Sequence, residues 1–472
     1  MTSSCSRAHG GGRLSACVAA LASFVVSFAG CRDVGSPTGG AAPARPLGGP
    51  VLPSPVPLDA HGPPPANEAT PSAPPAGAAG GAGEDEPLDV LLVTIDSLRA
   101  DMPWAGYPRD IAPRLTELAS RCVTYERAYA TASHTAPSLG SILKGKYASE
   151  LKRDGYFSAV YPPHEGSVAA VARAAGVETV SAHAHDYLRR SGLSHGFSRF
   201  ELVPGLLPAP NVDPNLTSKG LFVLARDQLD ATEPSRTRRL AWYHFVDPHA
   251  LWLVPPKEEN VPSFGGSPRD LYDAEVYFTD KYVGKLLDHL AETPRGRRTA
   301  IIVTADHGEG VGDHGQAYHG YEVWEALVRV PLLVCVPGAP PKRIATPRSL
   351  IDLGPTILDL LGIPSPSDYR GTSLLPEILG ADVGPRDVVI DLPANDLSFE
   401  RKSVVEGRWK ATYVGESRRT LVYDLETDPK ELRPLRAGPD YERMAARLTE
   451  ASARLEPRTP DRCARGCAKG SP

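Results

Sequence analysis

Asp89-Val90-Leu91-Leu92-Val93-Thr94-Ile95-Asp96-Ser97 is the stretch on which the fold turns. The run is continuously β-prone and lacks the polar alternation of a half-exposed strand. That is the pattern of a strand covered on both faces in a parallel sheet. It stops at an acid and a small hydroxyl residue. The same grammar recurs downstream, with apolar strands predicted at 178–181, 240–246, 298–304 and 330–336. Helical spacing is found between them, at 113–121, 168–175, 272–290 and 353–361. Strands alternating with helices over about 300 residues predict an α/β fold, a doubly wound and mostly parallel sheet sandwiched by helices. Beyond 385 the pattern changes to short strands at 387–391, 403–405, 409–414 and 420–423, closed by a helix at 441–455. These predict a small C-terminal antiparallel α+β subdomain. The folded part is thus expected to divide into 88–384 and 385–455, with a tail at 456–472.

Upstream of the first strand the chain reads differently. Residues 1–31 look like a targeting signal. Arg7 and Arg13 precede an apolar run from Leu14 to Phe28 that ends in Ala29-Gly30-Cys31. The run is shorter than the ~20 apolar residues of a membrane-spanning helix. Small residues before a cysteine resemble a bacterial lipobox, although Phe28 is larger than usual there. The expectation is an exported periplasmic or cell-surface lipoprotein held at the membrane through Cys31, with ordinary secretion as the alternative. Residues 32–87 are dominated by Pro, Ala, Gly and Ser, which cannot bury enough apolar surface to offset chain entropy, and are expected to be a disordered tether.

Composition excludes some classes of function. A formal net charge of -5 gives no basic footprint, so nucleic acid is not an expected partner. The seven cysteines show no spacing that suggests structural zinc. Cys463 and Cys467 are close enough in the chain to close a small disulfide loop, or to remain two free thiols.

In open α/β sheets ligands bind beyond the carboxyl ends of the strands. The first strand ends in Asp96-Ser97, the strand at 240–246 in Asp247-Pro248-His249, and the strand at 298–304 in Asp306-His307-Gly308-Glu309. One such acid is ordinarily a turn former or helix cap. Three strand ends delivering acids and imidazoles to one sheet edge point instead to a divalent cation. Thr135-Ala136-Pro137-Ser138 adds a candidate nucleophile. Pro137 reads as a first-turn proline, which sets Thr135 at a helix N-terminus, where backbone N–H groups favour an anion. A threonine hydroxyl is a poor nucleophile until a metal or base lowers its pKa.

These residues also carry a family resemblance. The run from Val90 through Asp101 is similar to the opening motif of sulfatase-family proteins, in the alkaline phosphatase superfamily. Thr135-Ala136-Pro137-Ser138 with Leu143-Lys144-Gly145-Lys146 resembles their nucleophile motif. Asp247-Pro248-His249, Thr304 through Glu309, and His319-Gly320 through Leu332 follow in the family's order, with a weaker match at Val422-Tyr423-Asp424-Leu425 and Asp428-Pro429. The resemblance spans roughly 88–435.

It implies an alkaline phosphatase-like fold and one divalent metal ion, Ca²⁺, Mn²⁺ or Zn²⁺, held by Asp96, Asp306 and His307, with Thr135 coordinating it as nucleophile. His249 and His319 would contact the transferred group or protonate the leaving oxygen, and Lys144 and Lys146 would stabilise substrate charge. A second metal on Asp247, His249 and His319 is the less favoured alternative. The chain departs from sulfatases proper at three positions. Thr135 cannot become formylglycine as Cys or Ser can, Leu139 replaces an arginine, and Ser97 replaces an aspartate. Threonine with this ligand set looks more like the phosphoethanolamine transferases, lipoteichoic acid synthases and phosphodiesterases of the superfamily. The expected activity is therefore hydrolysis or transfer of a sulfate or phosphate ester through a covalent Thr135 intermediate, on a small-molecule, glycan or lipid substrate, with phosphate-type chemistry favoured. The rival from another class is a non-catalytic surface lipoprotein that keeps the fold as a binding module.

Overall fold

The computed structural model describes residues 88–156, 159–163, 166–206, 215–230, 237–395 and 398–458. The expected signal, Cys31, the tether at 32–87 and the Cys463/Cys467 pair lie outside the described residues.

The strands of the main sheet are β1 (Asp89–Ile95), β2 (Val123–Tyr129), β3 (Glu178–His183), β4 (Arg199–Leu202), β5 (Arg239–Phe245), β6 (Thr299–Ala305), β7 (Arg329–Cys335), β8 (Lys342–Ile344) and β9 (Arg348–Ser349). Among the described residues they form one sheet in the order β4-β3-β5-β1-β6-β7-β2-β8, with β9 also on β2. β1 is central, and every residue in it is buried, which explains its predominantly apolar, β-prone character. It pairs in parallel with β5 and β6, Ile95 standing beside Phe245 and Ala305. The three chains therefore leave the sheet at one level, and the residues that follow are Asp96, Val246 and Asp306. Only β7 runs against its neighbours, so the sheet is mixed but mostly parallel. Because β2 is antiparallel to β7, it points the same way as β1, and the helix after it also starts at this edge.

That helix, Thr135–Lys144, is almost wholly buried. It ends at Gly145, whose φ of 66° is left-handed and whose N–H returns to Ser141 O at 2.9 Å. Glycine is required there twice over, by the backbone and by the Tyr369 ring packed where a Cβ would stand.

A second sheet is antiparallel and consists of β10 (Val388–Leu392), β11 (Arg401–Glu406), β12 (Trp409–Val414) and β13 (Arg419–Asp424). The helix Pro439–Ala453 covers one face with Met444, Leu448 and Ala451 on Val404, Ala411 and Val422. Tyr129, Val323 and Leu327 pack against Val388 and Ile390 on β10, and Asp391 N donates to Thr131 O at 2.7 Å. The second sheet thus braces the segment that leads into the Thr135 helix.

One covalent link was not anticipated from the sequence. Cys122 and Cys335 are bonded across the ends of β2 and β7, 213 positions apart in the chain. The bridge closes a long loop, so its loss should favour the unfolded chain. Replacing both cysteines by serine is expected to cost about 2–5 kcal/mol. The denaturant midpoint of oxidised protein, reduced protein and the double variant measures this, and reduced protein should match the variant.

Candidate active site

The turn after β1 is made by Ser97, whose φ of 58° is unusual for a residue with a side chain. It brings the Ser97 N–H to Asp306 Oδ1 at 3.3 Å and the Ser97 hydroxyl to Asp96 Oδ1 at 3.0 Å. Asp306 Oδ1 also accepts the His307 N–H at 2.9 Å. Asp306 Oδ2 is buried and accepts no hydrogen bond. His307 Nδ1 faces Gly308 O at 2.9 Å and donates to it, so Nε2 carries the lone pair. That nitrogen is 3.5 Å from Asp96 Oδ1 and 3.4 Å from Asp306 Oδ2.

Thr135 is the first residue of its helix and is partly accessible. Its Oγ1 lies 3.1 Å from His307 Nε2 and 3.4 Å from Asp96 Oδ2. Ser138, one turn on, locks the helix to the end of β6 by donating to Asp306 O at 2.6 Å. Asp96, Thr135, Asp306 and His307 are thus brought together, as the sequence suggests.

The electrostatics divide the two carboxylates. Burial opposes ionisation of Asp96, but the neighbouring His249 imidazole and a hydrogen bond from His244 outweigh it and hold its carboxyl well below the usual range. Burial and then the Asp96 charge push Asp306 well above that range. Two buried carboxylates this close resist carrying two charges. Burial, followed by the charge of His319, lowers His307 to about 3, so its imidazole is neutral and offers a nitrogen lone pair. The ligating atoms of Asp96, Asp306 and His307 fall within 4.8 Å of one another. An orphaned buried oxygen, a like-charge pair and a neutral imidazole lone pair make up a donor set that suits a divalent cation.

The two expected acid–base residues are beside this group. The His319 ring is 4.3 Å from that of His307 and 5.0 Å from that of His249. His249 Nδ1 donates to Ala250 O at 2.7 Å. His319 Nδ1 meets both oxygens of the buried Glu309 at 3.1 and 3.2 Å. Burial disfavours a charged His319, but Glu309 more than compensates and raises its pKa. A carboxylate behind an imidazole fixes the ring and its tautomer. Glu309→Gln is therefore expected to lower kcat by roughly 10²–10³-fold, more than it changes KM, in steady-state assays.

Several expected roles are corrected. Asp247 does not reach the cation group. Its carboxylate accepts from Thr217 N, Thr217 Oγ1 and Ser218 N at 2.6–2.7 Å, capping the helix Ser218–Asp230, so its second-metal role falls. Lys144 and Lys146 are not gathered into the site. Lys144 ends the Thr135 helix, on the order of 13 Å along the axis from Thr135, and its Nζ lies over the Tyr161 ring at 5.6 Å. Lys146 is paired with Asp368 at 2.6 Å. Lys146→Ala is accordingly expected to leave kcat/KM within about twofold, as for a charge paired at the surface.

Other residues escaped the sequence reading. His244 reaches Asp96 Oδ2 at 3.3 Å through Nε2. Its Nδ1 faces Thr94 Oγ1 at 2.8 Å, and Thr94 Oγ1 in turn accepts from Trp242 Nε1 at 2.9 Å. This chain of bonds orients Asp96 from behind. The available signal was a histidine in an apolar strand, in register with Thr94. His134, just before Thr135, has its ring 5.9 Å from His319. His185, beyond β3, is pushed down to about 4 by burial and then by the charge of His249.

Comparison with known proteins agrees with this geometry. The Sulfatase family model matches residues 89–363, and the model for the C-terminal region of N-sulphoglucosamine sulphohydrolase matches 312–457. The choline-sulfatase of Rhizobium meliloti is 25% identical over 432 residues, covering 74% of this chain and 83% of that protein. Arylsulfatase K of Rattus norvegicus is 28% identical over 249 residues, covering 49% of this chain and 43% of that protein. Among solved structures, the phosphonate monoester hydrolase of Agrobacterium radiobacter has the same fold, with a TM-score of 0.64 at 18% identity over 78% of this chain and 94% of that one. The fold and site define an ester-cleaving enzyme with an alkaline phosphatase-like core. The chain belongs to the sulfatase family.

Proposed function

We propose that this enzyme cleaves a sulfate or phosphate ester by double displacement through Thr135, with phosphate-type chemistry favoured. The observation that carries the reading is the position of Thr135 Oγ1, 3.1 Å from His307 Nε2 and 3.4 Å from Asp96 Oδ2 at a helix N-terminus. Asp96, Asp306 and His307 would hold a divalent cation, which when bound lowers the pKa of the Thr135 hydroxyl and neutralises charge on the ester oxygens. Thr135 Oγ attacks the central sulfur or phosphorus, and the bond to the leaving oxygen breaks. Free N–H groups of the first helical turn favour the negative charge. His319, braced by Glu309, donates its proton to the departing alkoxide, and His249 stands close enough to share that duty. Water then attacks the same centre, returning a proton to His319 and freeing Thr135. An acceptor alcohol in place of water would make the enzyme a transferase.

Phosphate-type chemistry is favoured because the nucleophile is an unmodified alcohol, as in the phosphoryl-transferring proteins that the sequence resembles. A panel of aryl sulfate, phosphate monoester, phosphodiester and phosphonate with Mn²⁺, Ca²⁺ or Zn²⁺ tests the reading. Turnover on one of them, with an adduct on Thr135 by mass spectrometry, supports it. No turnover on any would favour the binding module.

We also read the chain as exported and anchored through Cys31. The Cys122–Cys335 bond supports the export part of this reading, since disulfides persist in oxidising compartments. Cys31→Ser should move the protein from the membrane fraction to the soluble one, and an unchanged distribution would count against the anchor.

A further inference from the structure

We infer that the alcohol portion of the substrate is an apolar group, held on a wall formed by Leu251, Trp252, Val254 and Tyr318. The inference rests on the catalytic reading above and adds the class of leaving group. Two segments of chain meet at the candidate acid–base residues. One runs from His249 through Leu251, Trp252 and Val254, and the other places Tyr318 immediately before His319. They touch twice: His249 and His319 rings are 5.0 Å apart, and those of Trp252 and Tyr318 are 6.3 Å apart. Trp252 and Tyr318 are thus the aromatic rings that border the His249/His319 pair on this side.

This wall is apolar to a degree that needs a reason. Leu251 is 47% exposed, Val254 75% and Tyr318 48%. Isolated exposed apolar residues are ordinary, whereas several exposed within a few residues of the acid–base histidines point to a ligand surface. The polar handle of Trp252 is already spent, because its Nε1 donates to Pro248 O at 3.2 Å. Its ring stands edge-on to Tyr272 at 6.2 Å and 89°. Tyr272 in turn donates to Ser97 O at 2.9 Å, next to Asp96. The indole is thus fixed to the catalytic framework and offers a ligand only its ring. A glycan ester could stack on the rings but would also want hydrogen-bonding partners beside them, which the exposed Leu251 and Val254 side chains do not supply. An alkyl or aryl alcohol wants dry surface, and that is what the two segments supply.

The test uses esters of one head group, the best from the substrate panel, compared through KM because the alcohols differ in acidity and that difference falls chiefly on kcat. They are ethyl, 3,3-dimethylbutyl, its isostere with a trimethylammonium head, and the 6-ester of a hexose. The 3,3-dimethylbutyl ester is expected to show a KM ~10-fold or more below that of the ethyl ester, from burial of its extra carbons. In the surface variant L251S/Y318S this ratio should fall to about twofold or less, whereas in L379S, an exposed apolar residue elsewhere, it should persist. A ratio near one in the native enzyme, or preference for the cationic or hexose ester, would overturn the inference. If no ester turns over, the catalytic reading fails by itself. Calorimetric binding of the ethyl and 3,3-dimethylbutyl esters then decides the wall separately: a ~10-fold tighter dimethylbutyl ester that loses its advantage in L251S/Y318S supports it, and equal affinities sink it.

Discussion

Thr135→Ala is expected to reduce turnover by roughly 10⁴-fold or more, the scale seen when a nucleophile is deleted from a site whose parts act as a unit. The loss should fall on kcat and on kcat/KM alike, because the missing bond is made only in the transition state. Thr135→Ser separates chemistry from shape. It restores the oxygen and removes a methyl group that helps to fix χ1, so activity within ~10-fold of the native enzyme is expected. Neither change should disturb folding, since the side chain is partly exposed at the helix start and its N-cap, His134, makes no side-chain cap hydrogen bond. Melting temperatures are the control. Rapid-quench kinetics give a second reading: a burst in the native enzyme and in Thr135→Ser, and none in Thr135→Ala. Should Thr135→Ala keep more than a few per cent of native turnover, the attacking group is not this hydroxyl and the covalent route is wrong.

How much of this was legible in the sequence depended on burial. β1 and β6 are covered on both faces, so their residues are mostly apolar and β-prone and their ends are marked by the polar residues that follow. Those ends are Asp96 and Asp306-His307, so the sheet edge where acids and imidazoles gather was legible from the strand ends, whereas the particular ligand set came from the family resemblance. β2 escaped because Glu126 and Arg127 interrupt it. A shift of register between Tyr125 and Ala128 takes up those two residues, leaving the strand without a clean period. The helix Ser218–Asp230 escaped because its start depends on a partner far away in sequence: its first amides are met by Asp247 rather than by a local cap. The same fact misled the reading of Asp247, since a strand-end acid looks alike as a ligand and as a remote cap. Lys144 and Lys146 were misread for a related reason. Position after the nucleophile says nothing about the helix axis, which carries Lys144 away from the site. His244 lies behind Asp96, and such a partner leaves a mark in sequence only through register; Glu309 was visible as a strand-end acid, but its pairing with His319 was not. Cys122 and Cys335 are 213 residues apart and meet solely because β2 and β7 pair.

Asp306→Asn should make the enzyme blind to its cation while leaving the fold intact. Asp306 Oδ1 accepts the N–H groups of Ser97 and His307 at 3.3 and 2.9 Å, and an asparagine carbonyl can keep both. Its amide nitrogen would then take the place of Oδ2, the buried oxygen without a hydrogen bond, 3.4 Å from His307 Nε2. It could donate to that lone pair. The substitution also removes the like-charge conflict with Asp96, which together with burial holds Asp306 well above the usual carboxylate range. Two opposite effects follow. In cation-free buffer the variant should equal or exceed the native protein in stability, by up to roughly 1–3 kcal/mol, the cost of an unsatisfied buried polar group. With cation at a hundredfold excess over Kd, the native protein gains about 2.7 kcal/mol from binding, and the variant gains little because one anionic ligand is gone. The melting temperatures should therefore converge or cross as cation is added. Turnover in saturating cation should fall roughly 10³-fold, the several kcal/mol that a Lewis acid supplies to a transition state. The stability curves carry the argument independently of any substrate. A variant that melts far below the cation-free native protein would mean that Asp306 is a structural anchor, and one that still gains stability from the cation would move the binding site elsewhere.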